Sequence, residues 1–295
     1  MITPMGFHRA GLALVAGLLL APLAAQVPVT LLPRYTVGER LLYSVAIHST
    51  ISSGAVLDTT AEAELRVVAA PAPGKFTATA RFLRYTTKVQ AQSPADLAGL
   101  QRQSAATDHA ATSMAPAEFA VTPGSFKTLS RQAGAVYDQP VEMLQELART
   151  DSLPTGPTAV GAAWTRTRRR AIPTLNASVP LRLDCSLNAI APYAGQPAAT
   201  IVVHAQGSAA LPPGSLPGSK ALAAQGLVAE ATVRFDTTAT SHYRIADGVL
   251  LETSSTSHNN MRINLVGPSP AAKTTNADIH STSTVKLEKE TPPAS

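Results

Sequence analysis

A two-residue alternation of apolar and polar side chains recurs from residue 41 to residue 287 and sets the fold class. In 41–51, Tyr43, Val45, Ile47 and Ile51 share one side of an extended chain, while Ser44, His48 and Thr50 share the other. In 60–67, Ala61, Ala63, Leu65 and Val67 oppose Thr60, Glu62, Glu64 and Arg66. In 75–82, Phe76, Ala78, Ala80 and Phe82 oppose Thr77, Thr79 and Arg81. Ser52-Ser53-Gly54 and Pro71-Ala72-Pro73-Gly74 separate these runs, so the segment reads as an antiparallel meander with one apolar and one wet face. The pattern returns at Ile201 and Val203, at Ala229, Ala231, Val233 and Phe235, at Tyr243 and Ile245, at Val249 and Leu251, at Met261, Ile263 and Leu265, and at Ile279, Val285 and Leu287. Asp247-Gly248 is the sharpest hairpin signal. Keeping Tyr243, Ile245, Val249 and Leu251 on the core side predicts an odd loop of Ala246, Asp247 and Gly248. Gly248 then has positive φ in a G1-type bulge, with Ile245 opposite Val249 and Tyr243 opposite Leu251.

Two short helices interrupt the strands. Ser93-Pro94-Ala95-Asp96 resembles a capping box and predicts a helix over 94–103. Pro140 suits a first helical position, with Val141, Leu144, Leu147 and Ala148 on one face, which predicts a helix over 140–149. Residues 105–116 and 209–226 are small, polar or proline-rich and read as loops. A Val-Gly pair near a proline occurs twice, at Val37-Gly38 and Val160-Gly161, each ahead of a large residue that starts a strand. The chain therefore divides into an N-terminal β-rich half over 26–152, a C-terminal antiparallel half over 153–290 and a disordered tail over 291–295. The fold class is mainly β, with large curved antiparallel sheet, as two related halves, a half-barrel or a closed sandwich, plus two short helices.

The first 25 residues carry an address. His8 and Arg9 precede the uncharged apolar run at 10–20, then come Pro22, Ala24 and Ala25, the order of a secretory signal peptide cut before Gln26. The run is too short for a transmembrane anchor, which takes about 20 residues. The expected product is exported, periplasmic or extracellular. The formal charge of +5 falls to +4 once Arg9 is removed, weak for a chain of this size and unlike a nucleic-acid binder. Aromatic residues make up 4%, so the core must lean on aliphatic side chains. Cys185 is the one cysteine, which rules out an internal disulfide, and its place in an alternating stretch reads as a small buried side chain.

The order of Val37-Gly38 and a strand, then Phe119…Thr122-Pro123-Gly124…Phe126, then a helix from Leu144, then Leu153-Pro154…Val160-Gly161…Trp164, resembles an uncharacterised family of bacterial secreted β-rich proteins. Ala162 follows the second Val-Gly, where that family commonly has a polar residue. The overall plan is similar to periplasmic lipoprotein-carrier half-barrels at the level of fold, which by itself carries no function.

No catalytic or metal-binding motif is present. His48, His109, His204, His242, His258 and His280 form no close-spaced pair, so no metal site and no cofactor are expected, although His242, His258 and His280 fall on C-terminal strands that could bring them together. The serine-hydrolase elbow and the phosphate-cradling glycine loop are missing. Glu62 and Glu64 share a strand face, an arrangement read as solvated rather than as a glycosidase pair. Asn176-Ala177-Ser178 matches a glycosylation sequon and is read as a chance match. Arg166, Arg168, Arg169 and Arg170 form the one concentrated charge run, either a contact for an anionic envelope component or the wet face of a strand starting at Trp164. The expectation is an exported protein without enzymatic activity. Its concave sheet face, lined by Tyr43, Ile47, Phe76, Phe82, Trp164, Phe235 and Tyr243, would bind a lipid-like ligand or an envelope partner. A structural or adhesive module with a filled interior, and an enzyme built from sequence-distant residues, are the alternatives.

Overall fold

The computed structural model describes residues 27–172, 177–211, 214–216, 219–267 and 273–293. The stretch read as a signal peptide and Asn176 of the sequon match lie outside the described residues. In chain order the elements are β1 (Arg40–Ile51), β2 (Val56–Ala72), β3 (Lys75–Gln90), α1 (Pro94–Ser113), β4 (Ala117–Thr122), β5 (Ser125–Ser130) and α2 (Ala135–Ala148). They continue with β6 (Ala163–Ile172), β7 (Ala177–Tyr193), β8 (Gln196–Ala210), α3 (Ser219–Ala224), β9 (Val228–Arg244), β10 (Leu250–Val266) and β11 (Lys273–Thr291).

All strands join one antiparallel 11-stranded sheet in the order β5-β4-β3-β2-β1-β11-β10-β9-β8-β7-β6. Two meanders are thus fused along β1 and β11, the first and last strands, and the sheet is not closed into a barrel. Ten strand spacings of about 4.8 Å would hold the edges roughly 48 Å apart if the sheet were flat. Yet α2 touches both edges: Gln145 Nε2 donates to Thr128 Oγ1 of β5 at 3.1 Å, while Glu142 pairs with Arg170 of β6 at 2.7 Å. The sheet therefore curls until one helix fills the seam. The inner face holds a single apolar core containing Tyr43, Leu65, Phe119, Leu144, Leu183, Leu187 and Ile201. The chain ahead of β1 crosses this structure. Leu31 is fully buried, Val29 and Thr158 exchange backbone bonds of 2.9 Å, and Tyr35 meets Phe76 edge-on at 4.7 Å.

The outer face is mainly polar, as the alternation requires, with single exposed apolar residues such as Val68 and Val228. Arg81–Glu64 at 3.0 Å, Arg84–Glu62 at 3.5 Å and His48–Asp58 at 2.7 Å cross between strands there. Such exposed pairs contribute about 1 kcal/mol or less each. Apolar inside and charged outside is the reverse of a lipid-facing strand barrel.

Several boundaries differ from the sequence expectation. The helix expected over 94–103 continues to Ser113 and consumes much of the segment read as a loop. Alanine is the strongest helix former, and Ala105, Ala106, Ala110 and Ala111 carry the extension. The extension also covers an edge: β4 pairs only with Phe76–Ala80, and beyond that the Thr87 N–H donates to Asp108 Oδ2 at 3.0 Å while Ser104 Oγ donates to the Thr87 carbonyl at 3.2 Å. The helix α2 starts at Ala135 rather than Pro140, so Pro140 sits inside it and leaves the Val136 carbonyl without its helical donor. Burial of Val141, Leu144 and Leu147 outweighs that loss. Within 209–226, β8 runs on to Ala210 and α3 occupies Ser219–Ala224. The tail is shorter than expected, because Thr291 pairs with Arg40 and continues β11. The loop between β9 and β10 is Ile245-Ala246-Asp247: the Gly248 N–H donates to the Arg244 carbonyl at 2.8 Å and the Arg244 N–H donates to the Val249 carbonyl at 2.9 Å. Gly248 does have positive φ, at 69°, but Tyr243 opposes Leu250 rather than Leu251.

Candidate functional site

Each of the seven residues expected to line the concave face points inward, but not into a common open space. Tyr43, Phe76, Phe82 and Tyr243 are buried among other core side chains. Trp164 is half-buried and donates Nε1–H to the Ser152 carbonyl at 3.0 Å, closing the loop after α2. Ile47 and Phe235 are half-buried and pack only partly against the core. The apolar end of the interior is thus filled by its own side chains, α2 and the N-terminal segment.

The other end is lined by hydroxyls. Ser49 and Ser281 meet at 2.8 Å, Ser255 and Ser283 at 2.8 Å, Ser241 and Thr253 at 2.8 Å, and Thr59 and Thr87 at 3.1 Å, all on inward-facing positions. Beyond them lie Ile51, Ile279, Asn259 and Phe235, which share one row across four strands. The interior is therefore layered: aliphatic core, hydroxyl belt, then a largely apolar rim interrupted by Asn259, whose Oδ1 is buried without a hydrogen-bond partner. Six of the eight hydroxyl side chains are half-buried, so this end of the curled sheet is a polar mouth, while Thr59 and Ser241 are buried with a hydroxyl partner each.

The arginine run splits between the two faces, since strand side chains alternate. Only Arg169 faces outward, where its guanidinium donates to Ser178 Oγ at 2.9 and 3.2 Å. A joint anionic-surface contact by all four arginines is therefore not formed. Arg166, Arg168 and Arg170 share the inner face with Trp164 and Ile172. Arg168 lies 3.3 Å from Glu146 and 3.9 Å from Asp151, Arg149 lies 3.3 Å from Glu146 and 2.9 Å from Asp151, and Arg170 lies 2.7 Å from Glu142 and 4.4 Å from the Phe235 ring centroid. Arg166 makes no ion pair among the described residues, and its Nε is buried without a hydrogen-bond partner.

Desolvation pushes the Glu146 carboxyl up, but the guanidinium groups of Arg168, Arg149 and Arg170 together hold it below its ordinary 4.5. Its stabilising contribution is complete above that ordinary value and is lost as pH falls through the lowered one. The Glu146 side chain is 46% exposed, so screening limits the pair to about 1 kcal/mol. Glu146→Gln is therefore expected to melt about 2–4 °C below the parent protein at neutral pH. The two curves should converge as acid neutralises Glu146. A constant gap across the acid range in thermal melts would contradict this latch.

Burial pushes the Cys185 thiol up to about 11, which leaves it protonated at neutral pH and matches a packing role. On the outer face His258 and His280 stack at 4.2 Å between centroids and His242 stacks on Tyr193 at 3.9 Å, so the three strand histidines do not converge on one point. No three His, Cys, Asp or Glu side chains are arranged to hold a metal among the described residues. A shallow depression of about 200 Å³ lies over Ala46, beside the His48–Asp58 pair and Thr282. It sits on a strand paired on both sides, so its backbone N–H groups are already bonded and none is free to receive an oxyanion.

No family model matches the sequence, and no curated protein does. Among solved structures, the chain is similar to the crystal structure of an outer membrane channel from Pseudomonas putida F1, at 9% identity and a TM-score of 0.21, over 86% of this chain and 97% of that one. A likeness of that size carries no argument about fold or function. None of the described helices is long and apolar enough to cross a membrane.

The sequence did not signal the hydroxyl belt as a site. Serine and threonine were expected on exposed strand faces, and only the register shows which of them face inward. The splitting of the arginines was available in principle, because Trp164 and Ile172 have the same parity as Arg166, Arg168 and Arg170.

Proposed function

We propose that this is an exported ligand-binding protein of the bacterial envelope, without enzymatic activity, that receives an amphiphilic molecule in the mouth of its curled sheet. The observation that carries the reading is the layering of the inner face, where hydroxyl pairs lie between an apolar core and a largely apolar rim. A purely structural module would fill this region with apolar side chains, which pack more favourably than half-exposed hydroxyls. A ligand with polar and apolar parts matches both kinds of lining. Ile47 and Phe235 are the residues of the expected apolar set that are available for it.

Dansylundecanoic acid, a fluorescent fatty acid, tests this with the chain from Gln26 onward. Saturable fluorescence enhancement is expected, and Ser257→Trp, which fills the middle of the belt, should abolish it while leaving the circular dichroism unchanged. Absence of saturable binding, or undiminished binding by Ser257→Trp, would favour a filled structural module instead.

A further inference from the structure

We propose that Arg166 is the anion receptor of this mouth, pairing with the carboxylate or phosphate of the bound molecule; this rests on the ligand-binding reading above. Three carboxylates, Glu142, Glu146 and Asp151, face four guanidinium groups, Arg149, Arg166, Arg168 and Arg170. Arg168 and Arg149 share Glu146 and Asp151, and Arg170 takes Glu142. Arg166 is the cation left over. Its polar contact is a long 3.5 Å bond from Nη1 to the carbonyl of its own neighbour, Thr165, and its Nε is buried with no acceptor. A half-buried guanidinium without a counter-charge loses hydration and gains nothing in return, whereas its planar fork suits an oxyanion.

The register places this cation at the head of a lane. On the inner face Arg166 is followed across the sheet by Leu183, Ala205, Thr237, Ser257 and Ser281. Leu183, buried beside Arg166, is the one large side chain in this row, and from Ala205 to Ser281 the side chains are small. An anion held at Arg166 therefore starts beside Leu183 and Ala205, and a chain extending from it along this row reaches Thr237 and Ser257, with Phe235 on the neighbouring row for an apolar portion. The same three-carboxylate cluster repels an anion placed at Arg168 or Arg170, which fixes the receptor at one residue.

The experiment compares dansylundecanoic acid with its methyl ester on the parent protein and on Arg166→Gln, Arg168→Gln and the outward-facing Arg169→Gln. The acid should bind the parent about tenfold more tightly than the ester. Arg166→Gln should remove that preference by weakening the acid alone, Arg169→Gln should leave both unchanged, and Arg166→Gln should melt no lower than the parent because it breaks no ion pair. Arg168→Gln should melt lower. Competition by millimolar inorganic phosphate would assign the receptor to free anions. Failure of phosphate to compete, with the acid preference intact, would assign it to the headgroup of an amphiphile. Equal binding of acid and ester by the parent would overturn the role of Arg166 while leaving the ligand-binding reading standing. A fall in melting temperature of Arg166→Gln matching that of Arg168→Gln would overturn it as well, by making Arg166 a structural ion. Binding of neither probe would remove both readings.

Discussion

Gly248→Val should destabilise the protein by about 4 kcal/mol, the sum of two independent costs of roughly 1–3 kcal/mol each. The first is torsional. Gly248 has φ of 69°, a region that a β-branched residue tolerates poorly. The second is steric. A Cβ on Gly248 would lie 2.9 Å from the Leu32 carbonyl carbon and 2.9 Å from the Pro33 nitrogen, closer than non-bonded atoms come. Those are backbone atoms, and they are fixed on both sides. The Pro33 carbonyl accepts from the Gly74 N–H at 2.7 Å, and the Arg34 N–H donates to the Asp247 carbonyl at 2.8 Å. The turn and the N-terminal segment therefore cannot separate without losing bonds that tie the segment across both meanders. Gly248→Asn separates the two costs, because asparagine accepts positive φ but keeps the Cβ. It should fall between the parent and the valine variant in urea denaturation. A valine variant within about 1 kcal/mol of the parent would mean that the segment does not press on this turn.

That turn also marks how far the alternation could be read. Asp247-Gly248 announced a hairpin and a glycine at positive φ, and both are present. The expected register differs from the observed one at Ile245, whose apolar side chain suggests a core position in the strand. It is instead the first loop residue, half-buried against the core. A second irregularity between Leu250 and Glu252 then allows Val249, Leu250 and Leu251 all to be buried, which no strict period of two can express. Period two was enough to establish an antiparallel sheet with one wet face. It could not show that β1 pairs with β11, since that contact joins opposite ends of the chain and leaves no local trace. It could not show α1 beyond its first turns either. That helix buries only Ser104, Ala110 and Ala111, so it has no apolar stripe to detect.

The site was less legible than the sheet, for a related reason. Six of the seven residues expected to line the concave face are aromatic, and large side chains are the ones that the core takes first. Tyr43 is fully buried, and Phe76, Phe82 and Tyr243 are buried as well. The small residues that leave room, such as Ala205, Thr237 and Ser257, carry no signal of their own in a strand. They become a lane only once the register places them in one row. The arginine run had a signal, its concentration of charge, but its meaning depended on which parity faced inward and on carboxylates of α2 that lie well before it in sequence, such as Glu146, 22 residues ahead of Arg168.

Gly207→Ala should cost about 2–4 kcal/mol, although Gly207 lies in a strand and needs no special torsion. The reason is proximity. A Cβ there would sit 2.3 Å from the Pro180 carbonyl oxygen and 2.6 Å from Leu181 Cδ2. The oxygen belongs to the backbone of β7, so it cannot rotate away as a side chain would. The methyl group must push β8 from β7 at the point where their ladder ends, just past the pairing of Arg182 with Gln206. Across β8 the partner of Gly207 is Phe235, whose ring carries Arg170 at 4.4 Å. Displacing the strand therefore disturbs the rim of the proposed mouth as well as the sheet. Gly207→Ala should lower the urea midpoint by the amount stated and weaken dansylundecanoic acid binding. The reverse substitution at a neighbouring site, Ser208→Gly, faces no such contact and should cost about 1 kcal/mol or less, the ordinary effect of a glycine in a strand. If Gly207→Ala proved no more costly than Ser208→Gly, the close approach of β7 and β8 would be refuted, and with it the tight coiling that brings Arg170 over Phe235.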